Sequence, residues 1–305
     1  MKVIITEKIN DAGIEILKKY GQVDCRFGIP KEDLKKCLAD YDVMIVRVAY
    51  PIDKEVIDCG KNLKAICMNG IGLNHIDCDY AKEKGIAVFN VADASNDAVA
   101  ELAMALMLNI ARKVTPAANS TRQEGTWNKH AFTGVQLKDK VLGILALGKI
   151  GSRVAKYAQA FGMTVIAFDP YLDKSKAAEM NVELVDTVEK LLARANIISV
   201  HSPLTKETYH MIGKDQIALM PKGSLILNLG RGGVVDEEAL YEALKSGQLA
   251  GAAVDVMEQE PPGKNKLFEL DNFMATPHIG AATIEAQEAI SRKLAEKILA
   301  HLNIA

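Results

Sequence analysis

Three residues of this chain have the types needed to reduce a carbonyl that neighbours a carboxylate, and they recur at one kind of place. Arg231 stands in Asn228-Leu-Gly-Arg-Gly, Glu260 in Asp255-Val-Met-Glu-Gln-Glu-Pro, and His278 in Pro277-His-Ile-Gly-Ala-Ala-Thr. Reduction of a 2-oxo acid needs a cation for the carboxylate, a proton donor for the forming alkoxide, and a group that orients the donor. Each of the three follows a short apolar run that reads as a buried strand, and open α/β sheets bind ligands beyond their strand C-terminal ends. A carboxylate beside a histidine favours the imidazolium and keeps a proton available near neutral pH, while the neutral ring serves oxidation. Each residue alone has a plainer reading: a surface ion-pair arginine, a loop carboxylate, a satisfied helix-entry histidine. Their convergence is what points to catalysis.

A carbonyl reductase also needs a reductant. Val141 to Gly151 reads as a buried strand running into a glycine turn and then a helix from Ser152 to Phe161. In a dinucleotide fold such a turn brings backbone N–H groups and a positive helix N-terminus against a pyrophosphate. Gly148 and Gly151 fill the second and third glycine positions, but Ala146 occupies the first, so alanine must tolerate the tight turn. The confirming feature is Asp169, which ends the next strand, Val165 to Phe168. An acid there accepts both ribose hydroxyls and repels a 2′-phosphate, so NAD is expected over NADP. A solvated strand-end carboxylate before Pro170 is the plainer reading of the same residue. Gly143 to Lys149 also spells the start of a phosphate-binding loop of nucleotide hydrolases, but Ile150 stands where Ser or Thr must hold magnesium.

The elements that must position these residues follow an α/β rhythm. In the first 95 residues, Val3–Ile5, Val43–Val46, Leu63–Met68 and Ile86–Asn90 read as parallel strands and Ala12–Lys19 as a helix. From Lys140 a second series begins, with strands at Val141–Leu145, Val165–Phe168, Ile197–Val200, Leu225–Leu229, Ala252–Val256 and Phe273–Ala275. Six strands suit a doubly wound sheet. Asp236 should cap a helix through Lys245 that Gly247 stops, and Thr283 should open a final helix to about Leu302. That final helix could pack back onto the first domain.

Composition bounds the class. At 305 residues, with 49% hydrophobic and 25% charged residues, the chain suits two packed domains. A net charge of -2 without a Lys/Arg block makes nucleic acid an unexpected partner. The apolar stretch Ala98–Ala111 is interrupted by Glu101 and Asn109 and falls short of a membrane span, so it reads as a helix buried in its domain or against another subunit. The five cysteines show no metal-ligand spacing, no metal is expected, and an odd number of thiols without an export signal suits the cytoplasm.

These stretches closely resemble the D-isomer-specific 2-hydroxyacid dehydrogenases, which interconvert 2-hydroxy and 2-oxo acids and include phosphoglycerate and D-lactate dehydrogenases and glyoxylate and hydroxypyruvate reductases. The resemblance covers nearly the whole chain, from Gly70-Ile-Gly-Leu-Asn-His-Ile-Asp77 through Ala100-Glu101, Trp127 and the cofactor turn to His201-Ser-Pro-Leu-Thr205 and Pro277-His278. It implies a Rossmann-type doubly wound domain over residues 96–283. A smaller flavodoxin-like α/β substrate domain would take residues 1–95 and 284–305, with a cleft between the two and a homodimer as the assembly. By resemblance Arg231 binds the substrate carboxylate and carbonyl, His278 is the acid/base, and Glu260 holds the imidazole. Cofactor contacts are implied at Ala146, Gly148, Lys149, Ile150, Gly151, Asp169, His201, Pro203, Thr208, Leu229, Gly230, Asp255 and Gly280, with Asp255 facing the nicotinamide. The main-chain N–H groups of Gly70, Ile71 and Gly72 would cradle the substrate carboxylate. Val48, Ala49, Tyr50, Met68 and Asn69 would read its side chain, a set that suits small or moderately apolar 2-oxo acids.

The chain departs from the phosphate-handling members at Met68, where several carry arginine, and Asn69 and His75 are also unusual. A phosphate clamp would then come from Arg47 or from a neighbouring subunit. Phosphoglycerate oxidation by a short form without a C-terminal regulatory extension remains an alternative, as does an NAD-sensing corepressor-like binding protein that lacks turnover.

Overall fold

The computed structural model describes every residue except Val48 and Ala305, and the backbone alone of Glu124. The chain divides into two compact units, Met1–Ser95 with Ala282–Ala305, and Asn96–Ala281.

The first unit is built on five parallel strands, β1 (Lys2–Ile5), β2 (Gln22–Cys25), β3 (Val43–Val46), β4 (Ala65–Met68) and β5 (Ala87–Phe89), in the order β2-β1-β3-β4-β5. Strands β3 and β4 are buried along their whole length, as helix-covered parallel strands must be, which is why they read as unbroken apolar runs. Strand β2 escapes the sequence reading for the opposite reason. Its residues, Gln22-Val-Asp-Cys, lie on the sheet edge half in water and form a strand because they pair with β1. The final helix, Ile284–His301, is capped by the Thr283 hydroxyl at 3.1 Å from the Ala286 N–H. It packs on the helix Asp11–Lys18 closely enough that Ser291 Oγ donates to Asn10 O at 2.7 Å, and any Cβ at Gly13 would collide with Ser291.

The second unit holds seven parallel strands, one more than the apolar runs predict: β6 (Val141–Leu145), β7 (Thr164–Phe168), β8 (Glu183–Leu184), β9 (Ile197–Val200), β10 (Ser224–Asn228), β11 (Leu249–Val254) and β12 (Phe273–Ala275). The extra member, β8, is a two-residue edge strand, too short for any periodicity to register. The order β12-β11-β10-β9-β6-β7-β8 is the doubly wound arrangement, with its direction of winding reversing between β6 and β9. On one face the helix Asn96–Arg112 lays Val99, Ala103 and Met107 against the sheet beside Val154 and Ala158 of the helix Lys149–Ala160. Much of the apolar surface of Asn96–Arg112 is thus buried inside its own unit, while Leu102, Leu108 and Ile110 are only partly covered and Ala105 is exposed. On the other face Leu191, Ile217, Leu240 and Leu244 close a second apolar layer. Asp236 caps the helix Glu237–Ser246 through the N–H groups of Glu238 and Ala239, and Gly247 ends it in the left-handed conformation. No helix among the described residues is long and apolar enough to cross a membrane.

Candidate active site

The glycine turn is built as the sequence requires, with a division of labour between its small residues. Beyond β6, Ala146 takes φ +73°, a left-handed conformation that glycine would adopt without a Cβ penalty. Gly148 then caps the helix Lys149–Ala160, and a Cβ there would meet nothing within 4 Å, so this side of the turn is open to a ligand. Gly151 serves packing instead: its Cβ would collide with the Ala146 carbonyl, so only glycine lets the helix sit down on the turn. Lys149 and Ile150 form the first helical turn, Lys149 exposed and Ile150 packed against the core.

Asp169, directly after β7, accepts the Leu147 N–H at 2.9 Å and the Tyr171 N–H at 3.0 Å. The acid therefore stands at the turn itself, the place from which it would meet a ribose. His201 follows β9 on the other side of the switch point, donating its N–H to Leu145 O at 2.9 Å. Its ring lies 2.9 Å from Ser199 Oγ through Nε2, while Nδ1 and the neighbouring Ser202 Oγ are buried without partners. Burial pushes the His201 imidazole down to about 4, so it is neutral. Pro203 and Thr208 close a small turn in which Thr208 Oγ1 donates to Pro203 O at 2.7 Å. Leu229 is buried, and a Cβ at Gly230 would press on Ser202 O at 2.5 Å, which brings the loops after β9 and β10 together. An open glycine turn at a helix N-terminus, an acid beside it and two orphaned buried polar atoms across the switch point fit an adenine dinucleotide.

Three adjacent strands, β10, β11 and β12, bring Arg231, Glu260 and His278 into one cluster. His278 Nδ1 lies 2.8 Å from Glu260 Oε2, and the other carboxylate oxygen accepts the Met257 N–H at 3.1 Å. A carboxylate at Nδ1 makes that nitrogen the N–H donor and leaves Nε2 for a substrate. Hydrogen bonding to Glu260 raises the His278 pKa from its ordinary 6.5, against burial, which lowers it, with the charges of Glu260 and Asp255 adding to the rise and Arg231 opposing. Burial alone would raise Glu260, but its hydrogen bond to His278, the Met257 N–H and the Arg231 charge carry it below its ordinary 4.5. Arg231 donates Nη1 to Gly230 O at 2.7 Å and forms no ion pair among the described residues. Its backbone is held by Asn228, whose Nδ2 donates to Arg231 O at 3.0 Å. His278 itself takes φ +52°, a strained conformation for a non-glycine residue of the sort found at functional sites.

Asp255, expected to face the nicotinamide, has another task that the sequence does not announce. It is 3% exposed and accepts from Thr276 Oγ1 at 2.6 Å and from the N–H groups of Ile279 and Gly280 at 2.8 Å each. It thereby clamps the loop that carries His278. Thr276, Asn228 and Met257 complete the support of the cluster, and no spacing rule singles them out. The structure also gathers His210, Asp236 and Glu258, with ligand-type atoms within 4.8 Å of one another. His210 Nε2 already pairs with Glu258 Oε1 at 3.0 Å, and that oxygen also accepts the Glu237 N–H at 3.2 Å.

In the first unit, Met68 ends β4 and Asn69 follows it, 6% and 2% exposed. The Gly70 and Ile71 carbonyls are held by Val91 N–H at 2.9 Å and Asn90 Nδ2 at 2.6 Å. The N–H groups of Gly70, Ile71 and Gly72 have no acceptor among the described residues, and a Cβ at Gly70 would touch only the Met68 methyl at 3.0 Å. Ala49 is exposed, and Val48 lies outside the described residues.

The chain is similar to known proteins over most of its length. Residues 104–280 match the family described as D-isomer specific 2-hydroxyacid dehydrogenase, NAD binding domain. The chain is similar to D-3-phosphoglycerate dehydrogenase of Methanocaldococcus jannaschii, 46% identical over 298 residues that make up 98% of this chain and 57% of that protein. It is similar to hydroxypyruvate reductase of Thermotoga maritima, 47% identical over 279 residues, 90% of each chain. Among solved structures, D-lactate dehydrogenase of Aquifex aeolicus complexed with NAD and lactic acid superposes with a TM-score of 0.84 at 30% identity, over 99% of this chain and 96% of that one. The chain thus spans little more than half of the phosphoglycerate dehydrogenase, 57%, but most of the reductase. It belongs to the D-isomer specific 2-hydroxyacid dehydrogenase family, and its second unit carries the family's NAD-binding domain.

Proposed function

We propose that this chain is an NAD-dependent D-2-hydroxy acid dehydrogenase that works as a reductase of small 2-oxo acids. The observation that carries the reading is the His278–Glu260 pair at 2.8 Å with the Arg231 guanidinium beside it, on three consecutive strand ends of the NAD-binding domain. NADH, held at the glycine turn by Gly148, Asp169 and the helix N-terminus, would supply the hydride. Arg231 binds the carboxylate and polarises the carbonyl oxygen, and His278 gives its Nε2 proton to that oxygen as charge develops there. Glu260 fixes the ring by its Nδ1–H and favours the charged imidazolium until the proton leaves. Asp255 and Thr276 hold the His278 loop in place.

A second reading, oxidation of D-3-phosphoglycerate, is favoured by the 46% identity to the Methanocaldococcus enzyme. Met68 speaks against it, since it offers a phosphate no charge. The protein is proposed to act in a reducing cytoplasm, in keeping with five free thiols. It is proposed to form a homodimer, for which exposed Trp127, Val114 and Val135 provide apolar surface.

The direct test is NADH oxidation by the purified protein against glyoxylate, hydroxypyruvate, pyruvate, longer 2-oxo acids and phosphohydroxypyruvate, with His278→Ala as control. Turnover that falls at least about a hundredfold in the variant is expected for loss of a general acid. Retained activity in His278→Ala would remove the catalytic assignment. NADH binding without turnover on any acid would move the protein to an NAD-sensing role.

A further inference from the structure

The segment that runs from β11 to Glu260 is held by a hydrogen-bond network that the chemistry above does not use. Glu237 and Glu258 exchange bonds: the Glu258 N–H donates to Glu237 Oε1 at 2.7 Å, and the Glu237 N–H donates to Glu258 Oε1 at 3.2 Å. The second oxygen of Glu237 accepts from Asn265 Nδ2 at 2.9 Å. His210 reaches the same Glu258 oxygen from the loop after β9, with Nε2 at 3.0 Å, while its Nδ1 lies 3.5 Å from Asp236 Oδ2. A carboxylate at Nε2 makes that nitrogen the donor. The two acids stand at opposite ring nitrogens, so the ring itself bridges them and joins the loops after β9, β10 and β11.

His210 is held in this place against its backbone preference. It takes φ +49°, a left-handed conformation that a non-glycine residue keeps only where its surroundings enforce it. Its N–H donates to Gly233 O at 2.7 Å, and its ring stacks on Tyr209 with centroids 4.0 Å apart. The side chains of His210 and Glu258 are 31% and 33% exposed, so their bond is largely covered. Met257 is fixed as well: any Cβ at Gly232 would collide with its carbonyl, and its N–H donates to Glu260 Oε1 at 3.1 Å. Two consecutive N–H groups, those of Met257 and Glu258, are thus anchored just before the carboxylate that meets His278. We infer that His210, Glu237 and Glu258 are positioning residues for the proton transfer: by fixing the Met257–Glu258 backbone they set where the Glu260 carboxylate meets His278 Nδ1. This deepens the reading of the chain as a 2-oxo acid reductase and rests on it. Acting through Glu260, the network has nothing left to position once that carboxylate is removed.

The test measures kcat and KM with NADH and whichever of hydroxypyruvate, glyoxylate and pyruvate the unaltered chain turns over fastest. The variants are Glu258→Ala, Glu258→Gln, Glu260→Ala and the double variant Glu258→Ala with Glu260→Ala. A catalytic group misplaced by about 1 Å can cost about a hundredfold, so a partial displacement in Glu258→Ala should lower kcat by about tenfold and change KM by less than about threefold. Glutamine keeps the oxygen that accepts from Glu237 and His210, so Glu258→Gln should recover kcat to within about threefold. Groups that act through one another are not additive, so Glu258→Ala should cost less than about twofold once Glu260 is alanine. The alkaline limb of the Glu258→Ala profile should also move to lower pH, because the Glu260 bond raises the His278 pKa, with Asp255 adding to the rise and Arg231 opposing it. His210→Asn, which tolerates the left-handed backbone but withdraws the ring, provides the same cycle should Glu258→Ala fail to fold. A loss that persists undiminished in the Glu260→Ala background, or a Glu258→Ala protein with unaltered kcat and pH profile, overturns the positioning role. Absence of turnover on all three acids with NADH still bound defeats the reductase reading itself, and the positioning role with it.

Discussion

Replacing Glu260 by glutamine keeps the shape of the His278 clamp and removes its charge, which isolates the electrostatic part of the pair. Both side chains are more than a third exposed, 52% for His278 and 38% for Glu260, so solvent screens the 2.8 Å contact. A figure near the top of the range for exposed pairs, about 1 kcal/mol, is appropriate. At 1.36 kcal/mol per factor of ten this is about a fivefold effect on the fraction of protonated ring. The direction follows from the cause: Glu260 raises the His278 pKa, so its neutralisation lowers it. Reduction requires the protonated ring. The alkaline limb of kcat/KM for 2-oxo acid reduction should therefore move to lower pH, and activity at a fixed pH on that limb should fall about fivefold. Oxidation of the 2-hydroxy acid, which needs the neutral ring, should correspondingly extend to lower pH. Stability carries the same signature. The raised His278 contributes fully below its ordinary 6.5 and loses its contribution as pH rises through the folded value. The lowered Glu260 contributes above its ordinary 4.5 and loses its contribution as pH falls through the folded value. The wild-type advantage over Glu260→Gln in urea unfolding should thus be largest between pH 4.5 and 6.5. Steady-state rates across pH 5 to 10 in both directions are the assay; an alkaline limb that stays put, or moves up, would refute the argument.

Two further outcomes follow from the cofactor turn. Asp169→Ala removes the acid expected at the ribose and its bond to the Leu147 N–H, so the ratio of NADH to NADPH kcat/KM should fall by at least about tenfold, the equivalent of about 1.4 kcal/mol; equal use of the two cofactors by the unaltered chain would contradict the premise. Ala146→Gly relieves a left-handed alanine at a cost of about 1–2 kcal/mol but loosens the unfolded chain by about 0.4–1 kcal/mol. Unfolding free energy should therefore hold or rise by up to about 1 kcal/mol, and a clear fall in urea titration would show that the turn is not left-handed there.

The sequence by itself determined the parts whose physics is local. Buried parallel strands must be apolar throughout, so β3, β4, β6, β9 and β10 announce themselves, as do the caps at Asp236 and Thr283 and the left-handed stop at Gly247. The types of Arg231, Glu260 and His278, each just past an apolar run, carried the chemistry in the same way. Edge strands did not show, because β2 and β8 owe their conformation to a neighbour's hydrogen bonds and not to their own side chains. Only the tertiary structure separated the open Gly148 from the packed Gly151, since both are glycines and the difference lies in what a Cβ would meet. It alone showed that Asp255, expected to face the nicotinamide, also clamps the His278 loop, and it left Asn69 buried with an unpaired amide. Hydrogen-bond partners from distant strands are fixed by strand order and register, which depend on how the whole sheet closes and which no short stretch of sequence encodes.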